Sequence, residues 1–407
     1  MNILIIHSHN ANRGDEAAVK AMVDELLVKY PEAKITISNN GFTPYPSMPE
    51  NVIQIGRFPK LESRVAQLEF FIVLFFKGKF AFTKEARKFI HVLKRADIVL
   101  HAPGGPSIGD TYFKAERLYL WRLNLIRHMK IPYIFYAPSM GPFNCISRNK
   151  LRQEVISGAE KIVLRDPISA KYVKEFLPDI EVEQVLDSAL QHDIDIDQNV
   201  KKYNNYPELK KFIEKHNKCI GITITDLKWH PVHKSEKIIE QIPTIFKAFV
   251  TQKVKEGYGI ILIPQLYGNL NDTKIMNDYM LRNDTFMIDA FSEERDAYFQ
   301  QYVISKLYAV VGMRYHSNIF SAKMGVPFVS VSYEQKMKGF MQSIGLSEYC
   351  IDLNDLSEKM LFAKFGQLEA GYDAYENRLK DIHLDMKKQA YKSTEIVVNF
   401  LRERGIA

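Results

Sequence analysis

The chain has 407 residues, of which 46% are apolar and 25% are charged, and its 55 Lys and Arg residues outnumber its 48 Asp and Glu residues by 7. This length predicts two domains of ordinary size, and the composition excludes an acidic disordered chain. A net charge of +7 is too small to indicate nucleic acid as a partner.

Cysteine usage and hydropathy indicate the compartment. Cys145, Cys219 and Cys350 lie far apart and form no CxxC pair, which excludes a zinc knuckle and a thioredoxin-type site. Widely spaced single thiols are typical of a reducing environment. The N-terminal apolar run is too short for a signal peptide, and no run approaches about 18 apolar residues. We therefore expect a cytoplasmic protein.

Short β-branched runs alternate along the chain with longer helical patterns, which predicts α/β architecture with parallel sheets. The predicted strands are 2–7, 34–38, 52–55, 97–101, 133–136, 161–164 and 182–186, followed by 219–225, 259–263, 285–288, 308–311 and 327–331. The polar stretch 191–218 reads as a connection with a helix. The pattern predicts two Rossmann-like domains, residues 1–190 and 219–407 with a C-terminal helix, facing a cleft, with ligands at the carboxyl ends of strands.

The loop after the first predicted strand is rich in small and polar residues, HSHNANRGDEA at 7–17. Such a loop, leading into a helix, binds anions through backbone N–H groups and the helix dipole. It matches neither GxGxxG nor the P-loop, so no dinucleotide site is predicted. The alternative is a plain helix cap, in which Asp15 or Glu16 complements the dipole.

The basic excess is concentrated in residues 57–95, which hold ten Lys and Arg and three Glu. The same stretch contains the most apolar run of the chain, residues 70–76. One interpretation is a core helix with a solvated basic rim. The other is an interfacial segment in peripheral contact with an anionic membrane surface, at the inner face of the cell membrane.

Two further strand ends of the first half carry candidate residues. Gly104 and Gly105 follow the fourth predicted strand and permit close approach of a ligand to the backbone, although a tight turn would use them equally well. Arg165 follows the strand 161–164, where its guanidinium can fork onto a carboxylate or phosphate. The alternative there is an ion pair of Arg165 with Asp166.

In the second half, Trp229 and His230 lie in a loop directly after a predicted strand. Trp229 can stack on a sugar ring, although a single loop tryptophan is more often a packing residue. His230 and His233 have the spacing of one helical turn, but Pro231 between them disfavours a helical metal site. The sequence therefore predicts no metal here.

The strongest signal is GMRYHS at 312–317, where glycine, arginine and histidine follow an apolar strand at once. Histidine is the usual proton-transfer group near neutral pH, and the neighbouring Arg314 can hold an anionic substrate. Lys336 follows the next strand and is expected near the same rim. The alternative is a capped helix with His316 buried in its first turn.

Several segments, in order, resemble the polysaccharide pyruvyl transferase family. They are NANRGDEA, APGGPSIGD, PSMGPF, VLRDPISAKYV, LDSAL, GMRYH, GVPFVSVSYEQK and GFMQSIGL. The resemblance spans about residues 1–350. It departs from the family where Pro106 follows only two glycines, and where Ser188 follows Asp187 in place of a common proline.

The resemblance implies a GT-B-like enzyme that transfers an enolpyruvyl unit from phosphoenolpyruvate (PEP) onto two hydroxyls of a sugar, giving a cyclic ketal and phosphate. It implies His316 as the catalytic histidine, which we assign as the acid and base, with Asp15 or Asp187 as the assisting carboxylate. The PEP-binding candidates are Arg165, Arg314, Lys336, Asn12 and Gly14. The acceptor-binding candidates are Gly104, Gly105, Trp229 and His230. No metal and no cofactor besides PEP as co-substrate are expected, since arginine can stabilise the phosphate charge.

Two other functions fit the same fold. A GT-B glycosyltransferase would use the cationic residues to hold the diphosphate of a nucleotide sugar, because fold alone does not decide function. A non-catalytic member would bind glycans without turnover, which the presence of Arg165, Arg314 and His316 argues against. The acceptor itself, whether lipid-linked, nucleotide-linked or polymeric, is left open.

Overall fold

The computed structural model describes residues 1–9, 11–41, 44–59, 63–234, 236–268, 271–280 and 283–406. Asn10 of the predicted anion loop, and Lys60 and Glu62 of the basic stretch, lie outside the described residues. The chain divides into two compact units. The first comprises Met1–Asn10, Ala18–Gln191 and Gln389–Ala407, and the second comprises Ala11–Ala17 and His192–Lys388.

The first unit is built on a seven-stranded parallel sheet in the order β3-β2-β1-β4-β6-β8-β9. A separate parallel pair joins β5 to β7. The strands are β1 (Asn2–Ser8), β2 (Lys34–Asn39), β3 (Val52–Ile55), β4 (Ile98–His101), β5 (Gly104–Ile108), β6 (Tyr133–Tyr136), β7 (Pro138–Met140), β8 (Lys161–Leu164) and β9 (Glu183–Gln184). The central strands are continuous apolar runs because helices cover the sheet on both faces.

The second unit is built on a six-stranded parallel sheet in the order β12-β11-β10-β13-β14-β15. Its strands are β10 (Cys219–Thr223), β11 (Gly259–Leu262), β12 (Thr285–Met287), β13 (Ala309–Gly312), β14 (Phe328–Ser332) and β15 (Cys350–Asp352). In both sheets the strand order reverses beside the first strand of the unit. Doubly wound sheets bind ligands at this switch point, outside the carboxyl ends of the strands.

Fifteen α-helices lie in the described ranges, and side-chain caps such as Ser63, Thr83 and Asp166 begin several of them. They are α1 (Arg13–Lys29), α2 (Arg64–Phe75), α3 (Lys84–Arg95), α4 (Phe113–His128), α5 (Ile146–Ser157), α6 (Pro167–Phe176), α7 (Ile196–Asn204), α8 (Pro207–Lys215), α9 (Ile238–Lys255), α10 (Thr273–Met276), α11 (Ala297–Ile304), α12 (Tyr315–Lys323), α13 (Gln335–Ser343), α14 (Glu358–Ala370) and α15 (Tyr372–Glu403). Among these helices, none is long and apolar enough to span a bilayer.

The units differ from the predicted domains near both ends of the chain and at the predicted connection. The predicted connection 191–218 contains α7 and α8, which lie in the second unit. The last part of α15 lies in the first unit, because Val397, Phe400 and Leu401 pack into the apolar core on one face of its sheet. Residues 11–17 lie in the second unit, although the strand before them belongs to the first.

All twelve predicted strands are present with small shifts at their ends, and three short strands were not predicted. The unpredicted strands are β5, β7 and β15. Prolines in β5 and at the start of β7 argue against strand on propensity grounds. Gly104 and Gly105 were predicted in a loop or turn, but they are the first two residues of β5.

Candidate functional site

The switch point of the second sheet lies between β10 and β13, and hydrogen bonds join the two strand ends. The hydroxyl of Thr223 accepts from the backbone N–H groups of Met313 and Arg314 at 3.1 and 3.2 Å. Gly312 is required beside them, because a Cβ there would lie 2.0 Å from Oδ1 of Asn318. The chain thereby turns sharply from β13 into α12, with Arg314 as the N-cap residue.

The guanidinium of Arg314 is buried and held by a carboxylate. Its Nε donates to Oδ2 of Asp272 at 3.2 Å, and its Nη2 donates to Oδ1. Burial disfavours the charged guanidinium, but the carboxylate of Asp272 outweighs burial and raises the pKa of Arg314 above its ordinary value. Arg314 is therefore a permanent, oriented cation at this strand end.

His316 lies in the first turn of α12 and is packed against Gly14 in the first turn of α1. A Cβ built on Gly14 would lie 2.0 Å from Nδ1 of His316, so only glycine allows this contact. The first turns of two helices therefore meet at one point of the second unit. Helix N-termini carry partial positive charge, which makes such a meeting point favourable for an anion.

Backbone pairing attaches the loop that carries Gly14 to the second unit. Arg13 N–H donates to Gln265 O at 2.9 Å, and Tyr267 N–H donates to Ala11 O at 3.0 Å. Within the loop, Asn12 accepts from Gly14 N–H through Oδ1 and donates to Asp15 through Nδ2, both at 2.9 Å. Asn12 and Asp15, both predicted site residues, thus shape the loop around Gly14.

The side chain of Arg13 also anchors the loop, a role that the sequence analysis missed. Arg13 is buried, pairs with Glu16 at 2.7 Å and donates to the carbonyls of Ala290 and Ser292 at 2.7 and 2.8 Å. Glu16 in turn accepts from Ala297 N–H at 2.9 Å. Burial raises the pKa of Glu16 against the opposing pull of Arg13. The sequence signal for this anchor was the spacing of Arg13 and Glu16, which places opposite charges three residues apart at the start of a helix.

A cavity of about 760 Å³ opens at the same switch point. Arg314 and Trp229 line it, with the Arg314 guanidinium carbon 5.6 Å from the Trp229 ring centroid. The other lining residues include apolar side chains such as Leu227 and Ile239, and charged ones such as Lys228. A volume of this size accommodates a small organic ligand.

His230, Glu334 and Lys336 form a chain of paired side chains beside this switch point, in which His230 and Glu334 are buried and Lys336 is partly exposed. His230 is 1% exposed, and its Nε2 lies 3.1 Å from Glu334, which also pairs with Lys336. His233 stacks on His230 with ring centroids 4.6 Å apart. Neither His230 nor Lys336 lines the 760 Å³ cavity, whereas Trp229 does.

In the first unit, Arg165 follows β8 and is buried. Its Nη1 donates to Asp187 at 2.6 Å and its Nε donates to the Ser139 hydroxyl at 3.0 Å. The predicted alternative, an ion pair of Arg165 with Asp166, is wrong. Asp166 instead caps α6, accepting from Ser169 N–H at 2.7 Å. Two candidate residues, Arg165 and Asp187, are thus one buried ion pair.

The switch point of the first sheet carries a histidine cluster that the sequence analysis did not single out. His7 lies at a bulge of β1 with a φ of 64°, and its ring centroid is 4.6 Å from that of His101. Burial lowers the pKa of His101 to about 4. Nε2 of His101 lies 2.9 Å from the Ser107 hydroxyl. His9 lies 3.8 Å from the position of a Cβ on Gly104.

The predicted residues therefore fall into three groups. Asn12, Gly14, Asp15, Arg314 and His316 lie around the meeting point of α1 and α12. A further group in the second unit comprises Trp229, His230 and Lys336, and the first unit holds Arg165, Asp187, Gly104 and Gly105. Within the described ranges, no group of three or more His, Cys, Asp or Glu side chains is arranged to hold a metal ion.

Comparisons with solved structures agree with this fold. The chain is similar to the UDP-GlcNAc 2-epimerase of Neisseria meningitidis, at 13% identity and a TM-score of 0.57 over 99% of this chain and 100% of that one. It is also similar to S. aureus MnaA (10%, 0.60, 100% and 97%) and to a ugt transferase from Siraitia grosvenorii (10%, 0.58, 99% and 100%). These likenesses confirm the predicted α/β, GT-B-like fold.

Comparisons of sequence identify the family. The amylovoran biosynthesis protein AmsJ of Erwinia amylovora is 23% identical over 416 aligned positions, covering 93% of this chain and 94% of that protein. The sequence pattern of the polysaccharide pyruvyl transferase family matches residues 12–335, from the loop before Gly14 to the start of α13. The resemblance is confirmed, and the chain belongs to the polysaccharide pyruvyl transferase family.

Proposed function

We propose that this protein transfers pyruvate from PEP onto two hydroxyls of a sugar in an exopolysaccharide or its precursor, forming a cyclic ketal and releasing phosphate. The family membership supports a transferase acting on polysaccharide, and the similarity to AmsJ supports a role in exopolysaccharide biosynthesis. The observation that carries the proposal is the contact of Gly14 with His316, which joins two helix N-termini to a histidine and an oriented arginine.

The donor part of the proposal rests on charge. PEP carries a carboxylate and a phosphate, and both need fixed positive partners. The first turns of α1 and α12 supply backbone dipoles, and Arg314 supplies a full charge that Asp272 holds in one orientation. We assign Asn12 and Gly14 to this anion site. Lys336, which pairs with Glu334, and Arg165, which pairs with Asp187 in the first unit, are PEP-binding candidates on the sequence pattern alone. No cofactor besides PEP is required.

The chemical part assigns proton transfer to His316. Protonation of PEP at C3 generates a cation at C2, which one sugar hydroxyl attacks. The bond between C2 and the bridging oxygen then breaks, and phosphate leaves with that oxygen and the bonding electron pair. The second hydroxyl attacks the resulting cation at C2 and closes the ring. The two hydroxyl protons balance, since one ends on C3 and the other on phosphate. His316 moves these protons as acid and base, and Asp15 or Asp187 assists.

The acceptor part rests on the cavity beside Arg314. Trp229 presents an aromatic face there, next to the cation that we assign to PEP, so a sugar ring stacked on Trp229 would lie near the donor. His230, Gly104 and Gly105 are the other proposed acceptor residues. His230 contributes indirectly, because it is buried against Glu334.

The test incubates the protein with PEP and a glycan fraction, and separately with nucleotide sugars. We expect release of phosphate, and a glycan mass increase equal to pyruvate less one water. His316→Ala should abolish turnover while PEP still protects the protein against thermal unfolding. The matched control is His91→Ala, an exposed histidine of α3. Nucleotide release without PEP consumption, or normal turnover by His316→Ala, would refute the proposal.

A further inference from the structure

The segment from α2 to α3 in the first unit carries a cluster of exposed apolar side chains. Its members, which we call the aromatic patch, are Val65, Leu68, Phe71, Phe75, Phe76, Phe80 and Phe82. Phe75 is 80% exposed and Phe82 is 61% exposed. Solvent-exposed apolar clusters of this kind mark surfaces that contact a partner.

The helix α2 is apolar on two opposite sides. One side buries Phe70 and Val73 in the core, and the Phe70 ring stacks on Trp121 at 4.9 Å. The other side presents Val65, Leu68 and Phe75 to solvent at helical spacing. A helix that served only the core would carry polar residues on its outer side, so the outer stripe needs another explanation.

Internal contacts hold the patch together. Phe76 lies 5.0 Å from Phe75 and 4.9 Å from Phe80, measured between ring centroids. The buried carboxylate of Glu69 accepts from Phe82 N–H at 2.7 Å and from Thr83 N–H at 2.6 Å, which ties the start of α3 to the middle of α2. The exposed rings therefore form one supported surface.

Positive charge surrounds the patch. All eight Lys and Arg residues described between 63 and 95 are exposed, and Lys77 and Lys79 lie in the turn between Phe76 and Phe80. The described part of that stretch has two acidic residues, Glu69 and Glu85, and Glu69 is buried beneath the turn. Two copies of this surface would repel each other, whereas an anionic surface would attract it.

We propose that the aromatic patch and its basic rim dock onto an anionic lipid bilayer. Aromatic and aliphatic side chains enter the boundary between headgroups and acyl chains, while lysine and arginine pair with anionic headgroups. This inference does not depend on the proposed reaction. Under this inference both interpretations of the basic stretch apply to α2. One side of the helix packs in the core, and the other side faces the membrane.

The test measures sedimentation of the full chain with vesicles of phosphatidylcholine alone and of phosphatidylcholine mixed with phosphatidylglycerol. We expect binding only to the anionic vesicles, with a steep decrease as salt screens the charges. Lys77→Glu with Lys79→Glu should weaken binding about fivefold for each positive charge lost. The matched control, Lys359→Glu with Lys388→Glu, alters two exposed lysines of the second unit and should be unchanged.

The apolar part has its own pair of variants. Phe75→Ser with Phe82→Ser should weaken binding at least about tenfold, because two exposed rings lose their contact with lipid. The control, Ile146→Ser with Leu384→Ser, removes side chains that are 85% and 76% exposed elsewhere and should bind normally.

Three results would overturn the inference. They are equal binding to neutral vesicles, equal losses in patch and control variants, and absence of vesicle binding by the unaltered protein. Sedimentation velocity without lipid adds a further arm. If the patch variants abolish self-association that the control retains, a second copy covers the surface and the lipid proposal fails.

Discussion

Gly14→Ala adds one methyl group at the point where α1 meets α12. The added Cβ would lie 2.0 Å from Nδ1, 2.3 Å from Cγ and 2.5 Å from Cβ of His316. Restoring even a 3.0 Å separation requires the ring or the helix to move by 1.0 Å. A displacement of about 1 Å in a catalytic group costs roughly 10²-fold in rate. We therefore expect PEP-dependent ketal formation to fall about 100-fold.

The net cost of Gly14→Ala to folding stability should be about 0–2 kcal/mol, so the variant should stay folded while its rate falls. Alanine is favoured over glycine in a helix by about 1 kcal/mol, which offsets part of an overpacking cost of about 1–3 kcal/mol. The assay compares phosphate release and thermal unfolding in the same preparation. The control is Gly366→Ala in α14, where an added Cβ meets nothing within 4 Å. Wild-type activity in Gly14→Ala would refute the assignment of His316.

Three further predictions follow from buried or cavity-lining groups. Burial lowers the pKa of His101 to about 4, so the unfolded chain binds the proton more readily than the folded one. The free energy of unfolding should therefore decrease as pH falls below about 6.5, by about 2 kcal/mol at pH 5. Denaturant unfolding of His101→Asn should show a smaller decrease over the same range. Arg165→Ala leaves Asp187 buried without its cation and should cost about 3 kcal/mol in urea unfolding, most of which Arg165→Met with Asp187→Leu should recover; equal stability of the single variant would contradict a buried pair. Trp229→Ala should raise KM for the glycan about tenfold and leave KM for PEP unchanged, whereas Trp229→Phe should retain most of the affinity; a change in the PEP constant alone would contradict the assignment of Trp229 to the acceptor.

The strand pattern was predictable because parallel strands buried on both faces are continuous apolar runs. Residues 133–136 and 161–164, for example, were predicted with the bounds that the structure has. Two of the three exceptions have a common cause, since β5 and β7 both contain proline and pair with each other because of their position in the fold. The third, β15, is only three residues long. Propensity cannot indicate a strand that exists only because two chain segments are brought side by side.

The candidate site was predictable in part. Arg314 and His316 are next to a strand end in sequence, so their placement at a sheet edge followed from the alternation of strand and helix. Their partners were not predictable in this way. Asp272 is 42 residues away from Arg314, and Arg165 pairs with Asp187 in place of its neighbour Asp166.

The sequence by itself determined the α/β class, the carboxyl ends of strands as the location of polar residues, and the family. These features depend on local patterns, which a linear chain displays directly. Only the tertiary structure decided that residues 11–17 join the second unit, with Gly14 against His316, and that one side of α2 is buried while Phe75 is exposed. The composition and charge of a helix are the same whichever of its sides faces the core. The buried side of a helix that is apolar all round could therefore be identified only from its packing.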